Sequence, residues 1–235
     1  MFITTKIIVG KLGYHELAAV GIAGDLSFEI LVILMGFLSV IGVLAAHADG
    51  AGDKSGLGQT VRQGFIVSTF LGIPSMILIW NLDLLLKVTG QDPIVIALAT
   101  PYLHGLSSMA LPVLWFAVFR NFISALSKPA AVMVISVSAV FLNYLLTIWL
   151  VHGGFGLPSM GLFGAGLATA IVTWLMFFSL VIYIYCHSEL RGYGLFQGKW
   201  YFDRTITREI VRLGIPVAGL TFMEAGMFIA VAILS

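Results

Sequence analysis

Cysteine and charge are the scarce commodities of this sequence. A single cysteine, Cys186, in 235 residues excludes an internal disulfide framework and any metal centre built on several thiolates. Only 10% of the residues are charged, where soluble domains average about 25%. The net charge of +1 comes with no basic stripe, so nucleic acid is not an expected partner. Met1 is not followed by a basic stretch and a small-residue cleavage site, so no cleavable signal peptide is expected. No Ser-His-Asp set or metal-ligand spacing is visible. The glycine-rich run from Gly50 to Gly58 lacks the Gly-Lys-Ser/Thr end of a phosphate loop, so neither an intramembrane enzyme nor an ATPase is indicated, and no cofactor is expected.

Apolar residues make up what remains: 60% of the chain, with a mean hydropathy of +1.05. They come in continuous runs, and a bilayer-spanning helix needs roughly 20 apolar residues. A β-barrel would alternate apolar and polar residues instead. The expected class is all-α, a polytopic transmembrane helix bundle. Residues 1–9 are too short to span and read as part of a helix. Full spans are expected at 17–46, 60–80 with a kink at Pro74, 93–126, 130–151 and 161–185, and another begins at 210. The third of these is interrupted by Pro101, Gly105 and Pro112 and should bend.

Alternate loops test this topology. One side carries Lys54, Arg62, Arg120, Lys128, Arg191, Lys199, Arg204, Arg208 and Arg212; the other carries only Lys6, Lys11 and Lys87. Nine against three places the basic side, and with it the N-terminus, in the cytoplasm. The polar, basic run at 188–209 then reads as a cytoplasmic linker. It separates an N-terminal transmembrane lobe (1–187) from the start of a second lobe (210–235), with both chain ends falling inside helices as in a piece of something larger.

Five stretches, in order, carry a family resemblance. TTKIIVGKLGYHELAAVGIAG resembles the first helix, outer loop and second helix of the multidrug and toxic compound extrusion (MATE) family, and ADGAGDKSGLGQTVRQG its glycine-rich cytoplasmic loop. PYLHGLSSMALPVLWFAVFRNFISALSKPAAVM is similar to the fourth helix and following loop, and FLNYLLTIWLVHGGFGLPSMGLFGAGLATAI to the fifth and sixth helices. RLGIPVAGLTFMEAGMF resembles the start of the seventh helix in the NorM-like branch. The resemblance implies one six-helix lobe, its first helix incomplete, plus the start of a seventh helix, in a twelve-helix antiporter of bacterial inner membranes. Such a protein exports drug-like organic cations against Na+ or H+ by alternating access, and a missing C-terminal lobe is expected. A lipid-linked precursor flippase of the same superfamily and an inert truncated fragment are the alternatives.

An ionisable residue at membrane depth costs roughly 2.5 kcal/mol or more and is a functional candidate by default. Glu224 coincides with the glutamate that the resemblance implicates in cation binding, where a carboxylate suits either Na+ or a proton. Asp25 and Glu29 lie one turn apart on one helix face, roughly 13 and 20 Å below its outer end. Relatives often carry an acid in the first helix where this chain has Thr5 followed by Lys6. Asp25 and Glu29 could replace that acid in binding protons or cationic cargo, or they could be an ion pair with Lys6. Asn143 matches a polar position of the fifth helix, with Thr147 where some members have an acid. Both are substrate or proton candidates by resemblance and interhelical hydrogen-bond formers by chemistry. His104 reads as an interhelical histidine. Aromatic residues such as Trp115, Phe119, Trp174 and Phe178 could line a pocket for flat cations or simply pack. The glycines at 161, 164 and 166 read as close-packing positions.

Overall fold

The computed structural model describes residues 1–153, 158–196 and 201–234. Residues 154–157 and 197–200, Lys199 among them, lie outside the described residues. Helices dominate: α1 (Phe2–Val9), α2 (Tyr14–Leu38), α3 (Val40–Gly50), α4 (Lys54–Trp80), α5 (Leu82–Val88), α6 (Pro93–Ser107), α7 (Ala110–Ala125), α8 (Ala130–His152), α9 (Gly161–Cys186), α10 (Ser188–Arg191) and α11 (Arg204–Leu234). No strand occurs among the described residues. Four stretches are long and apolar enough to cross a membrane: Tyr14–Gly50, Lys54–Trp80, Ala130–His152 and Gly161–Cys186; α6 and α7 together make a fifth. In a bilayer core nothing outside the chain can satisfy backbone N–H and C=O groups, so each apolar run closes its own hydrogen bonds as a helix.

Helix limits follow from local chemistry. The Asp92 side chain accepts a hydrogen bond from the Ile94 amide at 2.8 Å, with Pro93 pre-set for the first turn of α6. Asp53 caps α4 through the Gly56 amide, and Asp203 caps α11 through the Thr205 amide. The expected bend in the 93–126 span is present, at 46° between α6 and α7. It falls at Ser108–Met109, four residues before Pro112, whose missing N–H leaves the Ser108 carbonyl without its helical donor. Pro74, by contrast, lies within the continuous helix α4. The last helix starts earlier than its hydropathy suggests: residues 204–209, expected from the sequence to be linker, already belong to α11.

Contacts divide the chain into two compact units. The first comprises Met1–Phe28, Gly72–Val113 and Met133–Phe178. Here α6 and α9 meet backbone to backbone: a Cβ on Gly105 would sit 2.5 Å from the Phe163 carbonyl oxygen, and one on Gly166 2.3 Å from that of Tyr102. Gly164 meets the Leu150 carbonyl of α8 in the same way. These are the small-residue contacts by which membrane helices associate, since lipid tails supply no hydrophobic drive between them.

The second unit comprises Glu29–Leu71, Leu114–Val132 and Ser179–Ser235. Phe65 stacks on Trp115 with ring centroids 4.8 Å apart, and the Trp115 indole donates to Thr69 at 2.9 Å. Asn121 donates to the Leu38 carbonyl at 3.0 Å, tying α7 to the end of α2. Helix α11 lies against α2 through reciprocal small-residue contacts: Gly36 under the Thr221 hydroxyl and Gly214 under the Phe37 ring.

Candidate functional site

In the first unit, Lys6 of α1 forms an ion pair with Asp25 of α2. Its ammonium donates to both carboxylate oxygens, at 2.7 and 2.9 Å. The Asp25 side chain is 66% exposed at the surface of the chain, so the pair sits on an outer face of its unit rather than in its core. Of the two readings open for Asp25, the geometry favours the ion pair.

Asn143 is fully buried. It accepts a hydrogen bond from Thr4 of α1 at 3.1 Å and donates to Thr169 of α9 at 3.3 Å. Thr169 donates in turn to the Ala165 carbonyl. One amide thus links three helices, and the interhelical role accounts for its contacts. Thr147, one turn further along α8, is equally buried, and its hydroxyl has no hydrogen-bond partner. The Tyr102 hydroxyl is in the same condition. As placed, neither Asn143 nor Thr147 reaches a surface that cargo could touch. His104 stacks on Trp80 with centroids 4.0 Å apart, an interhelical contact of the expected kind. Thr4 and Thr169 were missed from the sequence. Their signal was a hydroxyl inside an otherwise apolar or small-residue stretch.

In the second unit the acids are differently placed. Glu29 is half-buried, and its Oε1 is shielded with no hydrogen-bond partner. Glu224 is exposed and has no ion pair among the described residues. Because α11 begins at Arg204, Glu224 lies twenty residues along it, roughly 30 Å from the helix start. Thr221, three residues earlier, touches Gly36 of α2, so Glu224 stands one turn beyond that contact.

The polar groups around the linker, by contrast, are thoroughly engaged. Gln59 of α4 donates to the Tyr201 hydroxyl at 2.7 Å and to Asp203 at 2.8 Å. Gln63 donates to the Tyr201 carbonyl and accepts from Thr207 at 3.1 Å, while Arg62 donates to the Gly194 carbonyl at 2.9 Å. Two glutamines one turn apart therefore hold both the linker and the first turn of α11. Nothing in the sequence singled them out, because their partners lie about 140 residues away. Tyr193 donates to Asp49 at 3.0 Å; its burial, together with the bond to Asp49 and that residue's charge, raises the phenol above its ordinary range. Asp53 moves the other way, its carboxylate stabilised by the Gly56 amide and then by Ser55.

Helices of spanning length and backbone contacts through glycine define a multi-pass integral membrane protein. The MatE family model matches residues 1–149. The chain belongs to the MatE family.

Among curated relatives, the probable multidrug resistance protein NorM of Pseudomonas aeruginosa is 36% identical over 229 residues, which is 97% of this chain and 47% of the relative. The multidrug resistance protein NorM of Photobacterium profundum is 31% identical, over 97% of this chain and 50% of its own length. A eukaryotic MATE transporter shares the fold with a TM-score of 0.85 at 24% identity, covering 99% of this chain and 51% of that one. The transporter NorM-NG matches with a TM-score of 0.78 at 27% identity, over 98% and 50%. The chain spans about half the length of the curated relatives it matches. Its family consists of transporters, so the enzyme alternative is set aside.

Proposed function

We propose that this chain is the N-terminal half of a secondary antiporter that exports drug-like organic cations against Na+ or H+. The single observation that carries this reading is Glu224. It is a carboxylate deep in an apolar helix, exposed, and without an ion pair among the described residues. A charge left so at membrane depth is costly and persists where it binds an ion, a proton or cargo. Hard cations prefer oxygen ligands, and a carboxylate in a poor solvent takes up a proton readily, so the same group serves either coupling ion. Half-buried Glu29 is a second carboxylate for such a cycle, with a shielded oxygen that lacks a partner.

Cation binding would favour one of two arrangements of the lobes and cargo binding the other, as alternating access requires. In this reading residues 1–187 are the N-terminal lobe, the linker is cytoplasmic, residues from about 210 open the second lobe, and the N-terminus faces the cytoplasm of a bacterial inner membrane. The basic asymmetry supports that orientation. Acidic candidates do not favour a flippase for pyrophosphate-linked lipids, whose cavity would have to be basic.

The test is Glu224→Gln, which keeps size and hydrogen bonding but removes the charge. In proteoliposomes carrying the chain with a second lobe, efflux of a fluorescent organic cation should lose its dependence on the ion gradient, with insertion unchanged. Gradient-driven efflux at the normal rate would remove Glu224 from the mechanism. No efflux from the unaltered assembly would favour an inert fragment.

A further inference from the structure

A cavity of about 300 Å³ opens in the second unit, where the ends of α3 and α7 and the start of α4 meet α10 and the turn after it. It is lined by groups of both signs: Asp49, Lys54, Lys128 and Glu189, with Tyr193 and Leu126 between them. Three of the four charges already have a partner. Lys128 pairs with Glu189, and one Asp49 oxygen accepts from the Tyr193 hydroxyl. Lys54 is the fourth: its ammonium lies 5.9 Å from the centre of the Tyr193 ring and has no carboxylate partner among the described residues. Lys128 is brought in by the end of α7, where Ser127 caps the helix at φ +56° and the Lys128 amide donates to the Ile123 carbonyl at 3.2 Å.

With Lys128 and Glu189 neutralising each other, the open groups are Lys54 and the second oxygen of Asp49, one of each sign. A ligand bearing a phosphate and an ammonium on a short tether meets both, with the phosphate at Lys54 and the ammonium at the free oxygen of Asp49. Small-ligand cavities begin at about this size. The apolar side chains of Leu126 and Leu190 offer contact for the carbons beyond the phosphate. We infer that this cavity binds a phosphoethanolamine group, presented by a phosphatidylethanolamine lipid of the membrane leaflet at the basic side of the bundle. A lining with both signs of charge suits a zwitterionic head group rather than an anionic one.

The test uses the 235-residue chain with Cys186→Ser and Leu126→Cys, which leaves every charged wall residue in place. Alkylation of the new thiol is timed in nanodiscs of phosphatidylcholine containing phosphatidylethanolamine, or phosphatidylglycerol, or neither. Phosphatidylethanolamine alone should slow the reaction about tenfold, as mass action gives for a site about nine-tenths occupied. Adding Lys54→Gln should abolish the protection, and Gly50→Cys, at an exposed glycine outside the lining, should show none. Equal rates in all three membranes, or equal protection by phosphatidylglycerol, would overturn the proposal. Protection by soluble O-phosphoethanolamine in detergent, with none from the lipid, would overturn the lipid source. Should Lys54→Gln fail to fold, the unfolding midpoint of the unaltered chain decides: it must be highest with phosphatidylethanolamine, and equal midpoints refute the site.

Discussion

In the unit formed by Met1–Phe28, Gly72–Val113 and Met133–Phe178, charged and amide side chains carried on apolar helices end on one another: Lys6 on Asp25, Asn143 on Thr4 and Thr169. Among the described residues there, the buried side-chain groups left without a hydrogen bond are neutral, the hydroxyls of Tyr102 and Thr147. In the other unit the in-membrane acids are the open groups, Glu29 by a shielded oxygen and Glu224 by exposure. The contrast separates two uses of polarity in a poor solvent. A pair or a buried amide ties helices together, whereas a carboxylate without a partner is left for something that comes and goes. On this ground we propose that coupling rests with Glu224 and Glu29, and that Asp25 serves to tie α1 to α2.

The two units also differ in how their helices approach. Gly166 and Gly105 hold α6 and α9 at backbone distance, with no flexible group between them. Gly214 meets the ring of Phe37 at 2.7 Å, and backbone only at 3.0 Å, the Phe37 carbonyl oxygen. Gly166→Ala should therefore cost about 3 kcal/mol or more, because backbone must part, while Gly214→Ala should cost no more than about 1 kcal/mol. Unfolding in a denaturing detergent series measures both. Equal costs would erase this difference between the units.

A smaller effect tests the ion pair. Lys6→Met alone leaves Asp25 unpartnered, and Asp25→Asn alone leaves Lys6 so. Each should lower stability by about 2 kcal/mol, the scale of a lone charge on a membrane helix, with the double variant recovering most of it. Membrane yield and unfolding midpoint follow the cycle. If the double variant were as unstable as either single one, the pair would not be structural, and Asp25 would return as a cation candidate.

The smallest effect is expected at Asn143. Asn143→Leu removes the bonds to Thr4 and Thr169, but both hydroxyls keep a backbone carbonyl within reach. Interhelical hydrogen bonds in membranes average about 0.6 kcal/mol, so the loss should lie near 1 kcal/mol, with gradient-driven transport retained. Transport lost at normal stability would instead make Asn143 part of a cargo or proton path rather than a tie between helices.

Much of the architecture was legible in the one-dimensional pattern. The membrane spans and a bend in the 93–126 run were expected from residue order, and the aspartate caps found in the structure are chemistry of the same local kind. An apolar run in lipid must close its own backbone hydrogen bonds, and proline and aspartate act on the turn beside them. The start of α11 was misplaced because its first turn is polar, and hydropathy cannot distinguish a charged helix turn from a loop. Only the tertiary structure decided that Lys6 pairs with Asp25, that Asn143 is enclosed by α1 and α9, and that Gln59 and Gln63 hold the linker. The physical reason is that each depends on which faces of distant helices meet. That is settled by where glycine lets backbones touch and by which polar groups find partners, neither of which is local in sequence.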